Sequence, residues 1–284
     1  MKLIRFGELN QEKPGISINN KLYDVSPWID DYNEAFFANG GLQKLTQIIS
    51  EHHSTFSELA SGVRIGSPVA RPSKIICVGL NYADHAKEMN AATPSEPVIF
   101  LKSTTALSGP FDKIVMPKNS EKTDWEVELA VVMEKKASYV SEKEAMQYVA
   151  GYCLHNDVSE REFQLERNGT WDKGKGCDTF APLGPYLVTK DEVADIHRVH
   201  LWLTVNGKQM QNGTTANLIF KIPFLVSYIS QFMTLLPGDV ISTGTPAGVG
   251  LGMKPPVYLK HGDVVELGID GLGTSKQNVV NYAD

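Results

Sequence analysis

Along this chain, short apolar runs and alternating apolar and polar positions mark a series of strands, and a few stretches fall at helical spacing. The most informative stretch is Asp124-Trp125-Glu126-Val127-Glu128-Leu129-Ala130-Val131-Val132. Alternate side chains of a strand share a face, so Asp124, Glu126 and Glu128 should stand in a row about 7 Å apart, with Trp125, Val127 and Leu129 opposite. The strand runs on into a continuous apolar segment, the pattern of a strand covered on both faces. Like charges in such a row repel, so something positive should sit among them.

Other elements follow from the same patterning. Residues 15–18 and 22–25 flank Asn19-Asn20-Lys21 as a hairpin, and Leu42, Leu45, Ile48 and Ile49 fall at helical spacing. Linker chemistry at 66–73 predicts a boundary near residue 70, dividing a small N-terminal α+β domain, 1–70, from a catalytic domain, 71–284. Strands are expected at 74–78, at 98–102 ending on Lys102, and at 151–155. Ser141 and Glu144 have capping-box spacing and predict a helix to about residue 150. Leu201, Leu203 and Val205 alternate before Asn206-Gly207, a strong hairpin signal. Pro223 can open a helix whose stripe of Ile222, Leu225, Val226, Ile229, Phe232 and Met233 is core. Short strands are expected at 257–260, 263–268 and 277–282.

Charge narrows the function. A formal net charge of -6 over 284 residues, with no basic stripe, argues against a nucleic-acid partner. The N-terminus lacks the apolar core of a secretory signal, and no uncharged apolar run is long enough to span a bilayer, so a soluble, cytoplasmic protein without a membrane partner is expected. Cys77, Cys153 and Cys177 are too widely spaced for a zinc knuckle or a disulfide framework and read as buried free thiols.

Two readings of the acidic strand remain open at this stage: a solvated edge, or a divalent cation held by Glu126 and Glu128 with a third oxygen. Carboxylates without clustered Cys or His suit Mg²⁺, Mn²⁺ or Ca²⁺ better than zinc. Asp157, at the end of the 151–155 strand, is the candidate third ligand, although an Asn-Asp pair also makes turns and caps. His85 and Glu88 lie at i and i+3 on a predicted helix and could form a general base, or an ordinary surface pair; the glycines and prolines around them suggest a mobile segment. Lys102 either snorkels or contacts substrate, and His155 reads as a core histidine. The loop at 243–252 can cradle an anion but matches neither nucleotide-binding glycine pattern.

Six runs taken together carry a resemblance: GLNYADHAKE at 79–88, PVIFLK at 97–102, DWEVELAVVM at 124–133, NDVSER at 156–161, GKGCDTFAPLGP at 174–185 and GDVISTGTPAGVG at 238–250. In this order and spacing they resemble the fumarylacetoacetate hydrolase family, in its bacterial branch of acylpyruvate and diketo-deoxy sugar-acid hydrolases. The resemblance implies an α+β, β-rich fold, a mixed β-sandwich roll with a small N-terminal domain, and a homodimer. It implies Mg²⁺ or Mn²⁺, with Ca²⁺ as a possible non-native occupant, on Glu126, Glu128 and Asp157. It further implies a water-activating dyad of His85 and Glu88 on a lid, Lys175 near the scissile carbonyl, and substrate contacts from Gly244, Thr245, Arg161 and Lys102. Asp124 is not a ligand in the family pattern and is left as an outer neighbour or solvent-facing.

The expected reaction is hydrolytic cleavage of the carbon–carbon bond of a 2,4-diketo acid to pyruvate and a carboxylic acid. Decarboxylation or tautomerisation of oxaloacetate-like acids, or a ureidoglycolate lyase activity, is the alternative on the same scaffold. A metal-dependent small-acid binding protein without catalysis is the non-enzymatic alternative.

Overall fold

A continuous run of small and branched apolar residues at 127–133 makes the strand around which the rest is laid. In the computed structural model, which describes residues 1–283, Val127–Met133 is buried along its whole length. It pairs antiparallel with Val149–Asn156 on one side and Val240–Ser242 on the other. Val240–Ser242 runs parallel to Ile75–Gly79, which pairs antiparallel with Val98–Lys102 at the edge. In the other direction the sheet continues through Leu187–Thr189 to Lys2–Phe6, Lys13–Ile18, Lys21–Asp24 and Ser57–Glu58, eleven strands with Ile65–Gly66 included.

A second sheet of five strands, ordered Lys208–Thr214, His200–Val205, Val264–Ile269, Gly273–Asn281 and Ile114–Met116, lies against the first. Val127–Met133 touches both His200–Val205 and Val264–Ile269, so its two faces and two edges are all covered. That enclosure is why the strand tolerates no polar residue beyond Glu128. Helices are few and peripheral, so the fold is α+β and β-rich, as expected.

Several local expectations hold in detail. Asn206 and Gly207 both take positive φ, 52° and 76°, and close the hairpin from His200–Val205 to Lys208–Thr214. The helix Ile222–Ile229 carries Pro in its first turn and buries Ile222, Leu225, Val226 and Ile229, but it ends there, so Phe232 is exposed and Met233 only half-buried, and the core stripe is shorter than expected. Gly41–His52 buries Leu42, Leu45 and Ile48. No helix among the described residues is long and apolar enough to cross a membrane.

Others are corrected. The capping-box helix at 141–150 is a single 3-10 turn, Ala145–Tyr148, because Val149 is drawn into register with Met133 and the strand begins there. Ser141 Oγ spends its hydrogen bond on the Glu144 carboxylate instead of on backbone. Residues 257–260 form no strand; Val257 N–H donates to the Gly250 carbonyl and Leu259 N–H to the Thr123 carbonyl, single contacts to two different segments in place of a ladder. The acidic strand is interrupted, with Thr123–Asp124 in one short ladder and Val127–Met133 in another. The linker near residue 70 is not a break in hydrogen bonding, since Lys2–Phe6 pairs with Leu187–Thr189 and Leu3 shares one core with Val279.

Gly151 shows how tightly the central strands meet. It pairs with Val132 on one side and Thr189 on the other, and a Cβ there would lie 2.1 Å from the Val188 carbonyl oxygen. Gly151→Ala should therefore lower stability by about 1–3 kcal/mol, measured by urea unfolding; an unchanged midpoint would show that the strand pair can part freely.

Candidate active site

The break in the acidic strand creates the site. At Trp125 and Glu126 the chain leaves the ladder, and its polar backbone groups are satisfied by side chains instead. Glu126 N–H donates to Asn156 Oδ1 at 3.2 Å, Val127 N–H donates to Gln211 Oε1 at 2.9 Å, and Asp157 N–H donates to the Glu126 carbonyl at 2.9 Å. The resulting kink brings one carboxylate oxygen each of Glu126, Glu128 and Asp157 within 4.8 Å of one another.

Asp124 is turned elsewhere and is fully buried, so the solvent-facing option for it is excluded. Its carboxylate accepts from the N–H groups of Trp125, Gly250 and Leu251 and from Arg161 Nε at 2.8 Å. It fixes the glycine-rich loop and aims the arginine.

Cations surround the three carboxylates. Lys175, on the one-turn helix Asp172–Lys175, donates to Glu126 Oε2 at 2.7 Å and Asp157 Oδ2 at 2.8 Å. Lys102 donates to Asp157 Oδ1 at 2.5 Å and the Val158 carbonyl at 2.9 Å. It neither snorkels nor lines the cavity, so the substrate contact expected of it is replaced by an ion pair behind Asp157. Arg161 spans Asp124 and Glu126 and does line the cavity.

The balance of charge is uneven. Asp124, Glu126, Glu128 and Asp157 are all buried, against Lys102, Arg161 and Lys175. Burial would raise the Asp157 pKa, but Lys102 and Lys175 more than offset this and hold its carboxyl well below the usual range. Lys175 and Arg161 are correspondingly raised: burial opposes their charge and the neighbouring carboxylates outweigh it. Glu128 makes no ion pair, and burial, then Asp157 and Glu126, push its carboxyl well above its ordinary value. Only Ser242 Oγ, at 2.6 Å, and Gly244 N–H, at 2.9 Å, donate to it. Gly244 thus serves Glu128 and is not part of the cavity lining. Behind Ser242 stands His155, whose Nδ1 lies 2.7 Å from the hydroxyl. Burial lowers its imidazole to about 3, so it is neutral and Nδ1–H is the donor, while Nε2 has no partner.

Three hard oxygen ligands, one of them a buried carboxylate without a cation, fit a divalent ion of the Mg²⁺ or Mn²⁺ type.

His85 lines the same cavity, with Glu88 behind it. His85, on the helix Ala83–Glu88, places Nδ1 3.0 Å from Glu88 Oε2, and Glu88 Oε1 accepts from Gly248 N–H at 2.9 Å. This segment, expected to be mobile, is packed: His85 and Ala86 are buried and the preceding Asn81 is tied to Phe220 and Thr243. The cavity, about 230 Å³, is lined by His85, Glu126, Glu128, Arg161, Lys175 and Thr245 together with apolar residues. Thr245 donates to the Val127 carbonyl at 2.9 Å.

Five further residues shape this site without being assigned a role by the sequence patterns: Asn81, Asn156, Gln211, Ser242 and Trp171, of which Asn81, Asn156 and Ser242 lie inside the runs that carry the resemblance. The first four act by hydrogen bonds to distant chain segments, which no local spacing records. Gly174 is explained only by the fold. A Cβ there would meet the Glu160 carbonyl at 2.3 Å, so only glycine lets the helix bring Lys175 this close.

Comparison with known proteins places the chain in a family. The fumarylacetoacetate (FAA) hydrolase C-terminal family model matches residues 74–280. A Burkholderia ambifaria protein named only as a hydrolase is 52% identical over 283 residues, 99% of each chain. Among solved structures, a fumarylacetoacetate hydrolase from Exiguobacterium antarcticum is 35% identical with a TM-score of 0.86, over 99% of this chain and 100% of that one. Maleylpyruvate hydrolase from Sphingobium sp. SYK-6, in complex with manganese(II) and pyruvate, is 28% identical with a TM-score of 0.83 over 100% of both chains. A 5-carboxymethyl-2-hydroxymuconate delta-isomerase from Mycobacterium smegmatis is 33% identical with a TM-score of 0.78, again over 100% of both.

The uneven charge predicts opposite effects of two isosteric changes. With Mn²⁺ at a hundredfold excess over its Kd, a thermal or urea unfolding curve should show about 2.7 kcal/mol of added stability. Glu128→Gln should abolish that gain yet leave the metal-free protein as stable as the wild type. Asp157→Asn should cost the metal-free protein about 3–5 kcal/mol, because Lys102 and Lys175 lose their shared partner. Equal losses in both metal-free variants would contradict the charge assignment.

Proposed function

Because the chain belongs to the fumarylacetoacetate hydrolase family, we propose that it is a hydrolase that cleaves the bond between C3 and C4 of a 2,4-diketo acid, yielding pyruvate and a carboxylic acid. The observation that carries this reading is one cavity lined by His85, which is hydrogen-bonded to Glu88, and by Glu126, Glu128 and Lys175, with the Asp157 carboxylate within 4.8 Å of both glutamates. The neighbour named maleylpyruvate hydrolase, with manganese(II) and pyruvate bound, supports both the product and the ion. Glu126, Glu128 and Asp157 would hold Mg²⁺ or Mn²⁺, which when bound supplies Lewis-acid stabilisation of negative charge on the keto-acid oxygens.

The side chains then divide the remaining work. Glu88, itself held by Gly248 N–H, accepts the Nδ1–H of His85 and leaves Nε2 with its lone pair free. His85 takes a proton from water, and the hydroxide adds to the C4 carbonyl carbon. Lys175 keeps its charge at neutral pH and directs two N–H groups to Glu126 and Asp157; its third makes only a 3.5 Å contact with the Asp157 carbonyl and can donate to the new oxyanion. As the oxyanion collapses, the C3–C4 bond breaks and its electron pair passes to C3. The imidazolium of His85 returns its proton to C3, which completes pyruvate and restores the neutral base. Atoms balance as one water consumed and two acids formed.

A second reading, proton transfer at carbon without addition of water, is favoured by the neighbour named an isomerase. It would use His85 and Glu88 as a proton shuttle and release no carboxylic acid. NMR of products from acylpyruvates and oxaloacetate, with Mg²⁺, Mn²⁺ or EDTA, separates the two. Hydrolysis predicts pyruvate and a second acid, metal-dependent; isomerised substrate or CO₂ alone would refute it.

Lys175→Met should lower kcat by about 10²–10³-fold through loss of the oxyanion donor. His85→Ala should lower it by about 10²–10⁴-fold with binding of Mn²⁺ unchanged, measured by coupled pyruvate assay and calorimetry. Full turnover in either variant would remove that residue from the mechanism.

A further inference from the structure

Away from its charged end, the cavity changes character abruptly. Lys175 Nζ lies 5.0 Å from the centroid of the Phe100 ring, and that ring stands 5.3 Å from Trp171 at 60°. Trp171 is seated on Gly79, where a Cβ would come within 2.5 Å of its Cζ3 atom, so the glycine is what admits the indole. Met89, Leu165 and Leu251 continue the wall. A tail extending outward from the ammonium therefore meets aromatic and aliphatic surface at once.

The polar groups of the lining are already committed. Among the described residues, its permanent cations are Arg161 and Lys175. Arg161 donates to Asp124, Glu126 and Gln164, and Lys175 to Glu126 and Asp157. The Thr245 hydroxyl donates to the Val127 carbonyl and accepts from Gln211. The Gln164 oxygen accepts from Arg161, which leaves its amide N–H and the indole N–H of Trp171 as the uncommitted neutral side-chain donors among the described lining residues. Both cations are already paired with buried carboxylates, so a tail ending in carboxylate would be desolvated without an unpaired cation to receive it, and a polyol tail would find two neutral donors for several hydroxyls. Each unmatched polar group should weaken binding about tenfold or more. An apolar tail incurs no such loss and gains about three- to fourfold for each methylene buried.

We propose that the substrate carries an uncharged, apolar acyl group, aliphatic or aromatic, and that Trp171 and Phe100 select it. This inference rests on the diketo-acid reading above and goes beyond it by excluding a second carboxylate and a sugar-like tail. It also sets the chain apart from the maleylpyruvate hydrolase it resembles, whose named substrate bears a second carboxylate.

Two matched pairs test it. Hexanoylpyruvate and adipoylpyruvate differ only in a terminal methyl or carboxylate, and the wild type should favour the first at least tenfold in kcat/KM. The uncleavable pair 2-oxononanoate and 2-oxononanedioate, titrated by calorimetry into the Mn²⁺-loaded protein, should show the same preference in Kd. Trp171→Ala should erase most of the advantage of hexanoylpyruvate over acetylpyruvate, and Trp171→Phe should retain part of it; if the alanine variant fails to fold, the wild-type ratios and the phenylalanine variant decide. Equal or better use of adipoylpyruvate or of a diketo-deoxy sugar acid would overturn the inference while leaving the hydrolase reading intact. Preferred binding of 2-oxononanoate with no pyruvate from any diketo acid would support the tail preference and sink the hydrolase reading.

Discussion

Buried negative charge must be balanced where it stands, and the architecture around this cavity follows from how that balance is struck. Asp124, Glu126, Glu128 and Asp157 are each at most 6% exposed, and three of them are paired with Lys102, Arg161 or Lys175. Such pairs rarely add net stability over a well-packed apolar core, because desolvation of the ions offsets their attraction. Their presence at the centre of the fold is better explained by chemistry than by stability. Glu128, held by one hydroxyl and one backbone N–H, is where the balance is incomplete. A divalent ion shared with Glu126 and Asp157 would complete it.

Geometry elsewhere is subordinate to that cluster. The strand must break at 125–126 for the carboxylates to converge, and the broken ladder is mended by Gln211 and Asn156. The 172–175 turn must press against Glu160 for Lys175 to reach in, which only a glycine at 174 permits. Gly248, at φ +110° with Met210 O 2.0 Å from where a Cβ would stand, passes close to a neighbouring strand and offers its N–H to Glu88. The same loop, through Gly250 and Leu251, caps Asp124. Base and charged cluster are therefore held by one loop, so a shift of the loop would move both.

How much of this was legible in the sequence depends on whether the signal was local. The His85–Glu88 spacing and the hairpin at 206–207 are short-range patterns, and the structure places each where its pattern implies; Glu126, Glu128 and Asp157 converge, but through a kink that alternation along a strand does not record. Lys102 and Gly244 were read as substrate contacts, yet they serve Asp157 and Glu128; a side chain's partner across the fold leaves no trace in its neighbours along the chain. The alternation that sets Asp124 in one row with Glu126 and Glu128 assumes an unbroken strand, and the backbone at the break is held by Asn156 and Gln211, 30 and 84 positions away from their partners. The helix at 141–150 was lost to strand pairing, a case of tertiary contact overriding a local cap.

The central claim is that Glu126, Glu128 and Asp157 act together on one divalent ion. Anomalous diffraction from a crystal soaked in Mn²⁺ tests it most directly. A single peak within about 2.0–2.6 Å of an oxygen from each of the three is the predicted result. A peak placed elsewhere, or contacting only one of them, would contradict the account.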